Sequence, residues 1–249
     1  MQNPQKLNPI IIIPARLAAT RLPNKPLADI HGQPMIVHVW RRAIEANIAP
    51  VLVACDHESI AAAIRAVGGQ AVLTDPDLPS GSDRVYAALM QIDAAGMYNC
   101  VINLQGDMPV FAPELLPELL RCLRKTDADI ATLAALFADP AEAENPNKVK
   151  IALSRMVNSD FYRAHYFSRA AIPHGTAPRY HHLGIYAYRR AALTRFIALP
   201  PSDLEKSEKL EQLRALADNM TISVAVVDTI PIGVDTPEDL IAARRAMMP

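Results

Sequence analysis

The chain has 249 residues, 51% hydrophobic and 20% charged, enough to bury one large core and suited to a single α/β domain spanning residues 1–249 with a small subdomain. Its formal net charge of −1 excludes a sequence-wide basic field that would draw it to nucleic acid or an anionic membrane, so any anion binding must be local. No apolar run approaches the ~18–20 residues of a membrane helix, and three widely spaced cysteines (Cys55, Cys100, Cys122) fit reduced thiols in a cytoplasmic protein, not a disulfide frame.

In chain order, Ile10 to Ile13 is a β-branched run stopped by Pro14, as a strand buried on both faces requires. A polar loop follows, then a helical stretch from about Met35 to Ala46. Val51 to Ala54 reads as a second strand ending at Cys55-Asp56. Ser59 to Val67 is helical and is ended by Gly68-Gly69. Ala71 to Thr74 is a short third strand, Ser82 is the expected cap of a helix running to Ala95, and Cys100 to Leu104 is another buried strand. Strands alternating with helices at this spacing predict a twisted, mostly parallel sheet with helices on both faces. Ligands bind such sheets outside the carboxyl ends of the strands, so Arg16, Asp56 and Asp107 are expected along one edge.

The second half is less regular. Asp129 to Phe137, Val149 to Leu153, Gly184 to Tyr188 and Ile222 to Val227 read as strands, and Glu205 to Asp218 as one charged amphipathic helix. Thr236 to Met247 closes the chain as a helix with Thr236 as N-cap and Glu238-Asp239 in its first turn.

Three segments carry candidate chemistry. The loop from Pro14 to Leu27 holds Arg16, Arg21 and Lys25 directly after the first strand, with Pro23 and Pro26 bracketing Lys25. Arginine offers a planar fork to phosphate and lysine a mobile point charge, while the prolines lower the entropic cost of placing the ammonium. An ordinary solvated basic loop would not explain that position or that bracket. Neither GxGxxG nor GxxxxGK[ST] occurs, and Ala18-Ala19 stand where glycines would be expected, so side chains share the phosphate work. Asn103 to Pro109 sets Asp107 just past a buried strand, poorly placed for packing but well placed to ligate magnesium. In Gly233 to Asp239, the cap chemistry needs Thr236 to Asp239, which leaves Asp235 as a candidate second carboxylate. The histidines form no HExxH pattern, which disfavours a zinc enzyme.

Taken together, IIIPAR, TRLPNKPL, GQPMIVHV, ACDHE, SGSDR, NLQGD, NPNKVK, YFSRA, HHLGIYAYR, LEQLR and GVDTPEDL closely resemble, in order and over nearly the whole chain, the 3-deoxy-manno-octulosonate (KDO) cytidylyltransferase family. The resemblance implies a twisted α/β fold of the nucleotide-diphospho-sugar transferase kind (GT-A or Rossmann-like), a smaller mixed subdomain for sugar binding and dimerisation, and a homodimer. It implies transfer of CMP from CTP to KDO for lipopolysaccharide synthesis, with Mg2+ as cofactor. By motif, Pro14, Ala15, Arg16, Arg21, Lys25, Ser80 and Arg84 are then expected on the nucleotide, and Asp107 and Asp235 on the metal, with Arg16, Lys25, Asp107 and Asp235 the catalytic set. Gln105, Arg169, His182, Tyr186, Glu211 and Gln212 are expected to contact the sugar acid, Arg169 through its carboxylate. The chain departs from the family at Met108, where a glutamate is usual, at Ile232, and in a short segment from Ala171 to His181. These keep 8-amino-KDO or a sialic acid-like sugar as alternative acceptors; a non-catalytic nucleotide-binding protein is the alternative outside the enzyme class.

Overall fold

The computed structural model describes residues 6–18 and 22–248. Its elements are β1 (Pro9–Ala15), β2 (Asp29–Ile30), β3 (Gln33–Pro34), α1 (Met35–Glu45), β4 (Val51–Cys55), α2 (Glu58–Arg65), β5 (Gln70–Leu73), α3 (Gly81–Ile92), β6 (Cys100–Asn103) and α4 (Leu115–Lys125). There follow β7 (Ile130–Leu136), β8 (Lys150–Arg155), β9 (Tyr162–Ser168), β10 (Tyr180–Arg189), α5 (Arg190–Ala198), α6 (Asp203–Glu208), α7 (Gln212–Ala217), β11 (Ile222–Val227) and α8 (Pro237–Ala246). Contacts divide the chain into two compact units, one of residues 7–117 with 231–249, the other built on residues 118–230.

The first unit carries a parallel sheet ordered β5-β4-β1-β6. Ile10 to Ile13 are at most 2% exposed, and burying each contributes roughly 1.5–3 kcal/mol. Nothing polar on β1 interrupts that run, so the polar residues fall in the loop beyond its carboxyl end. The chain re-enters this unit at its end. Ile232 N donates to Val110 O (2.9 Å) and Val234 N to Asp107 O (2.8 Å), while Val234 packs into a core of Ile30, Met35, Leu240 and Ala243. Helix α8 is fastened at its far end as well, because Arg244 donates twice to Asp29 O (2.9 and 2.7 Å).

The second unit corrects the expectation of a mostly parallel sheet. Here β10 runs antiparallel to β7 and β8, and β9 antiparallel to β8 and β11; only β11 and β7 are parallel. The reason is local. Strands β8 and β9 are joined by a short turn in which Met156 N donates to Phe161 O (3.0 Å), whereas a parallel neighbour would need a long crossover.

Two further expectations are corrected. Ser80, not Ser82, caps α3: its Oγ accepts from Asp83 N (3.2 Å), while Ser82 is fully buried and accepts from Asn103 Nδ2 (3.2 Å). The single helix read from Glu205 to Asp218 is broken into α6 and α7 at Lys209, whose φ of 56° is left-handed. A capping box (Ser202 with Glu205) starts α6, and Glu205 also accepts both arms of Arg214 from α7 (2.9 and 2.6 Å), pinning the bend.

Candidate active site

A cavity of about 320 Å3 opens at the carboxyl ends of β1 and β6 in the first unit. Pro14, Ala15, Arg16, Lys25, Ser80, Arg84, Gln105, Asp107 and Asp235 all line it, so nine of the predicted site residues meet in one place. Arg21 lies outside the described residues.

The backbone explains how they meet. After β1, Asp56 at the end of β4 accepts from Leu17 N with both carboxylate oxygens (2.9 and 3.2 Å), turning the chain so that exposed Arg16 lies at the cavity. Asn24 then takes a left-handed conformation (φ 56°) ahead of a single 3-10 turn, Lys25–Leu27, whose Pro26 is buried. The proline that fixes this turn therefore also anchors it, and Lys25 is held at its start. After β6, a Cβ on Gly106 would stand 2.6 Å from Pro14 O, so only glycine lets the two strand ends approach closely enough to share a pocket. From the C-terminal segment, Asp235 arrives through the Val234–Asp107 backbone bond, one residue before the Thr236 cap of α8.

Lys25 Nζ donates to Asp107 Oδ2 (2.7 Å) and Asp235 Oδ1 (3.0 Å). Burial opposes the lysine's charge, but the two carboxylates outweigh it and hold its pKa above the ordinary value. Carboxylate oxygens from the middle and the C-terminal segment of the chain thus converge on one cation. Among the described residues no third His, Cys, Asp or Glu joins them, so the donor set does not close a zinc site. It fits a hard divalent cation such as magnesium, which takes one or two carboxylates and draws its other ligands from phosphate and water.

Arg84 is only 2% exposed and is committed to the loop before α3, donating to Thr74 Oγ1, Asp75 O (3.2 Å) and Pro76 O (3.5 Å). It shapes the wall that carries Ser80. Ser80 Oγ donates to Asp83 (2.6 Å) while capping α3, and the start of that helix, at Gly81, faces the cavity. Gln105 lines the same cavity, and its Nε2 donates to buried Asn103 (3.2 Å), which continues to Ser82.

The remaining predicted residues lie in the second unit. Strand β10 has an irregular register between His182 and Tyr186, with Gly184 at φ 71°. In a straight strand residues four apart are separated by about 13 Å, yet the His182 and Tyr186 rings have centroids 5.3 Å apart. The bulge folds them together. Thr132 on β7 donates to Ile185 O (2.8 Å), which uses its only proton, so the 3.0 Å contact with His182 Nε2 requires the imidazole to donate. Burial pushes the His182 pKa down to about 3, with His181 adding to the effect. Tyr186 is buried too; burial, Tyr188 and Glu211 raise its pKa, keeping it a neutral phenol beside Glu211. Gln212 is buried as the first residue of α7. Arg169 stands on Glu208, with its Nε on Glu208 O (3.0 Å), its Nη1 on Pro146 O (3.1 Å) and its backbone N–H on the Glu208 carboxylate (2.9 Å). Fully buried Lys150 donates to Arg169 O and to Asn145 O (2.9 Å), and burial lowers its pKa.

Sequence reasoning set Asp56 along this edge and missed Thr132 as part of this machinery. Gly106 was legible as a glycine at a strand end and Asp56 as an acid after one; nothing local marks Thr132, whose partners lie 50 and 53 residues away.

A family model described as cytidylyltransferase matches residues 10–222. Among similar proteins, a 3-deoxy-manno-octulosonate cytidylyltransferase of Rhodospirillum rubrum is 56% identical over 95% of this chain and 94% of its own length. One of the same name from Paramagnetospirillum magneticum is 52% identical, covering 96% and 97%. A solved structure of CMP:2-keto-3-deoxy-manno-octonic acid synthetase complexed with CTP superposes with a TM-score of 0.88 at 39% identity, covering 96% of this chain and 98% of that one. With identity above half across nearly the full length of such relatives, the chain belongs to the cytidylyltransferase family and, within it, to the 3-deoxy-manno-octulosonate cytidylyltransferases.

Proposed function

We propose that the protein transfers CMP from CTP to the anomeric hydroxyl of 3-deoxy-D-manno-octulosonate, giving CMP-KDO and pyrophosphate, as a magnesium-dependent cytoplasmic homodimer. The observation that supports it best is the convergence of Asp107 and Asp235 on Lys25 in a cavity that Arg16 also lines. A triphosphate needs cations beside its oxygens and carboxylates on the far side of its metal, and one pocket offers both.

In the reaction the sugar hydroxyl gives up its proton to solvent as its oxygen bonds to the α-phosphorus, the bond from that phosphorus to the bridging oxygen breaks, and pyrophosphate departs with the negative charge. Arg16 and Lys25 hold phosphate oxygens as that charge builds, and the amides at the start of α3 add donors. Bound by Asp107 and Asp235, magnesium would supply further charge neutralisation on the phosphates. Fixed orientation accounts for much of the remaining acceleration, and the chain needs no covalent nucleophile. Arg169, His182, Tyr186, Glu211 and Gln212 are assigned to the sugar acid from the family's motifs. Met108 and Ile232 leave the choice between KDO and its 8-amino analogue to experiment.

The test is pyrophosphate release by the purified protein with CTP and magnesium, with and without KDO. Release that depends on KDO supports the proposal; release no greater than the sugar-free control refutes it. Running 8-amino-KDO and a sialic acid in parallel identifies the preferred acceptor.

A further inference from the structure

Lys25 does more in this geometry than a phosphate-binding lysine requires. Its ammonium stands between Asp107 and Asp235, 2.7 and 3.0 Å from one oxygen of each, in the position that a divalent cation shared by both carboxylates would take. The arrangement is built and not accidental. Proline fixes the turn that starts at Lys25, the lysine side chain is only 17% exposed, and one backbone bond, from Val234 N to Asp107 O, ties the two carboxylate segments together. Arg16 lines the same cavity but has no carboxylate partner among the described residues, so the two cations are not equivalent.

We infer that Lys25 is an internal competitor for the divalent cation: it neutralises the carboxylate pair until nucleotide binds, so that the site takes the metal more tightly together with the triphosphate than before it. The physics is a three-way exchange. A metal binding alone must displace an ammonium from partly buried Asp107 and exposed Asp235 and leave that ammonium without a partner, beside a doubly charged cation. A metal arriving with a triphosphate brings the lysine new anionic partners, the phosphate oxygens, within reach of its flexible stem. Nucleotide and metal binding are thereby coupled, and by reciprocity each strengthens the other. The consequence for function is ordering: a metal-loaded carboxylate pair is disfavoured ahead of the substrate that it serves.

The inference rests on reading the cavity as a metal–nucleotide site, but its test uses neither sugar nor turnover, so the two can fail separately. Manganese, an EPR-visible substitute for magnesium, is titrated into the nucleotide-free protein, wild type, Lys25→Met and Arg16→Met. Lys25→Met is expected to bind Mn2+ on the order of tenfold more tightly than wild type, the effect of removing an ammonium that two carboxylates hold. Arg16→Met is expected to stay within about twofold, because it touches neither carboxylate. In calorimetry without divalent cations, Lys25→Met is expected to bind CTP more weakly, since the phosphates are the ammonium's other partner. Unchanged Mn2+ affinity in Lys25→Met overturns the inference, as does equal tightening in Arg16→Met, which would make the effect one of overall pocket charge. Lys25→Gln, which keeps a polar group of similar reach, repeats the measurement if the methionine variant does not fold.

Discussion

The two units solve the same problem, holding polar groups in a fixed geometry, in opposite ways. In the first, chemistry-bearing side chains stand beyond the ends of uniformly apolar strands and converge on an open cavity. In the second, they are embedded within the packed body of the unit: His182 and Tyr186 in a bulged strand, Lys150 and Arg214 nearly or fully out of solvent. A strand-end residue can change without disturbing the core, whereas an embedded one is part of it. Substitutions should therefore separate, with losses of rate in the first unit and losses of stability in the second.

The largest expected effect is at the cavity. Asp107→Asn keeps the shape and the backbone bond from Val234 but removes one charge from the pair that faces Lys25. Turnover should fall on the order of 10^3-fold, while CTP binding measured by calorimetry survives and the melting temperature changes little. Surviving turnover would remove Asp107 from the metal site; a collapsed fold would erase the distinction between the units.

The strand-end logic also explains what the sequence revealed. Strands at Ile10 to Ile13, Val51 to Ala54 and Cys100 to Leu104 agree with β1, β4 and β6 to within two residues at every end. Once the strand ends are known, Arg16, Gln105 and Asp107 follow, because they are the first polar residues past β1 and β6 that the core does not bury. Asp235 was legible for a related reason: the helix cap at Thr236 had no use for it. The second unit resisted the same reading because its determinants are tertiary. Lys209 adopts a left-handed backbone because Arg214 and Glu205 pair across the bend, and no helical period records that pairing. Strand β9 (Tyr162–Ser168) went unread because its burial does not simply alternate, and the bulge at Gly184 brings together two residues that strand geometry would keep apart. There the family resemblance supplied the residue names, and the structure supplied the contacts.

The Arg214–Glu205 pair sharpens the comparison from the other side. Both side chains are nearly buried (9% and 12% exposed), and the guanidinium also lies 5.0 Å from the Phe196 ring centre. Arg214→Met strands a buried carboxylate and should cost about 3–5 kcal/mol, read as a drop in melting temperature of roughly 10 °C. Adding Glu205→Gln to the same chain should recover part of that loss, since the stranded charge is gone. CTP affinity should be unchanged in both variants. A fall in CTP affinity at undiminished stability would mean that the second unit's network serves the nucleotide directly.

The smallest effect distinguishes the units by pH. His181 and His182 both lie in β10, where burial first, and then the neighbouring charges, depress their pKa values to about 4 and about 3. For His181 the unfavourable neighbours are Lys148 and Lys150, only partly offset by Glu142, and its buried Nδ1 has no hydrogen-bond partner among the described residues. An unfolded chain takes up these protons near pH 6.5, whereas the folded strand refuses them until pH 4 or below. Between those limits the unfolded state binds more protons, so stability is intact above about pH 7 and is lost as the pH falls, by roughly 2 kcal/mol per histidine at pH 5. The His181 ring already stacks on Phe137 at 5.4 Å, so His181→Phe keeps an aromatic partner and removes one titrating group. Its melting temperature at pH 8 should stay near that of wild type, and at pH 5 it should exceed wild type by about 4–8 °C. Equal acid-induced losses in the two proteins would show that the acid sensitivity arises outside β10, and the embedded unit would then be no more exposed to pH than the unit that carries the cavity.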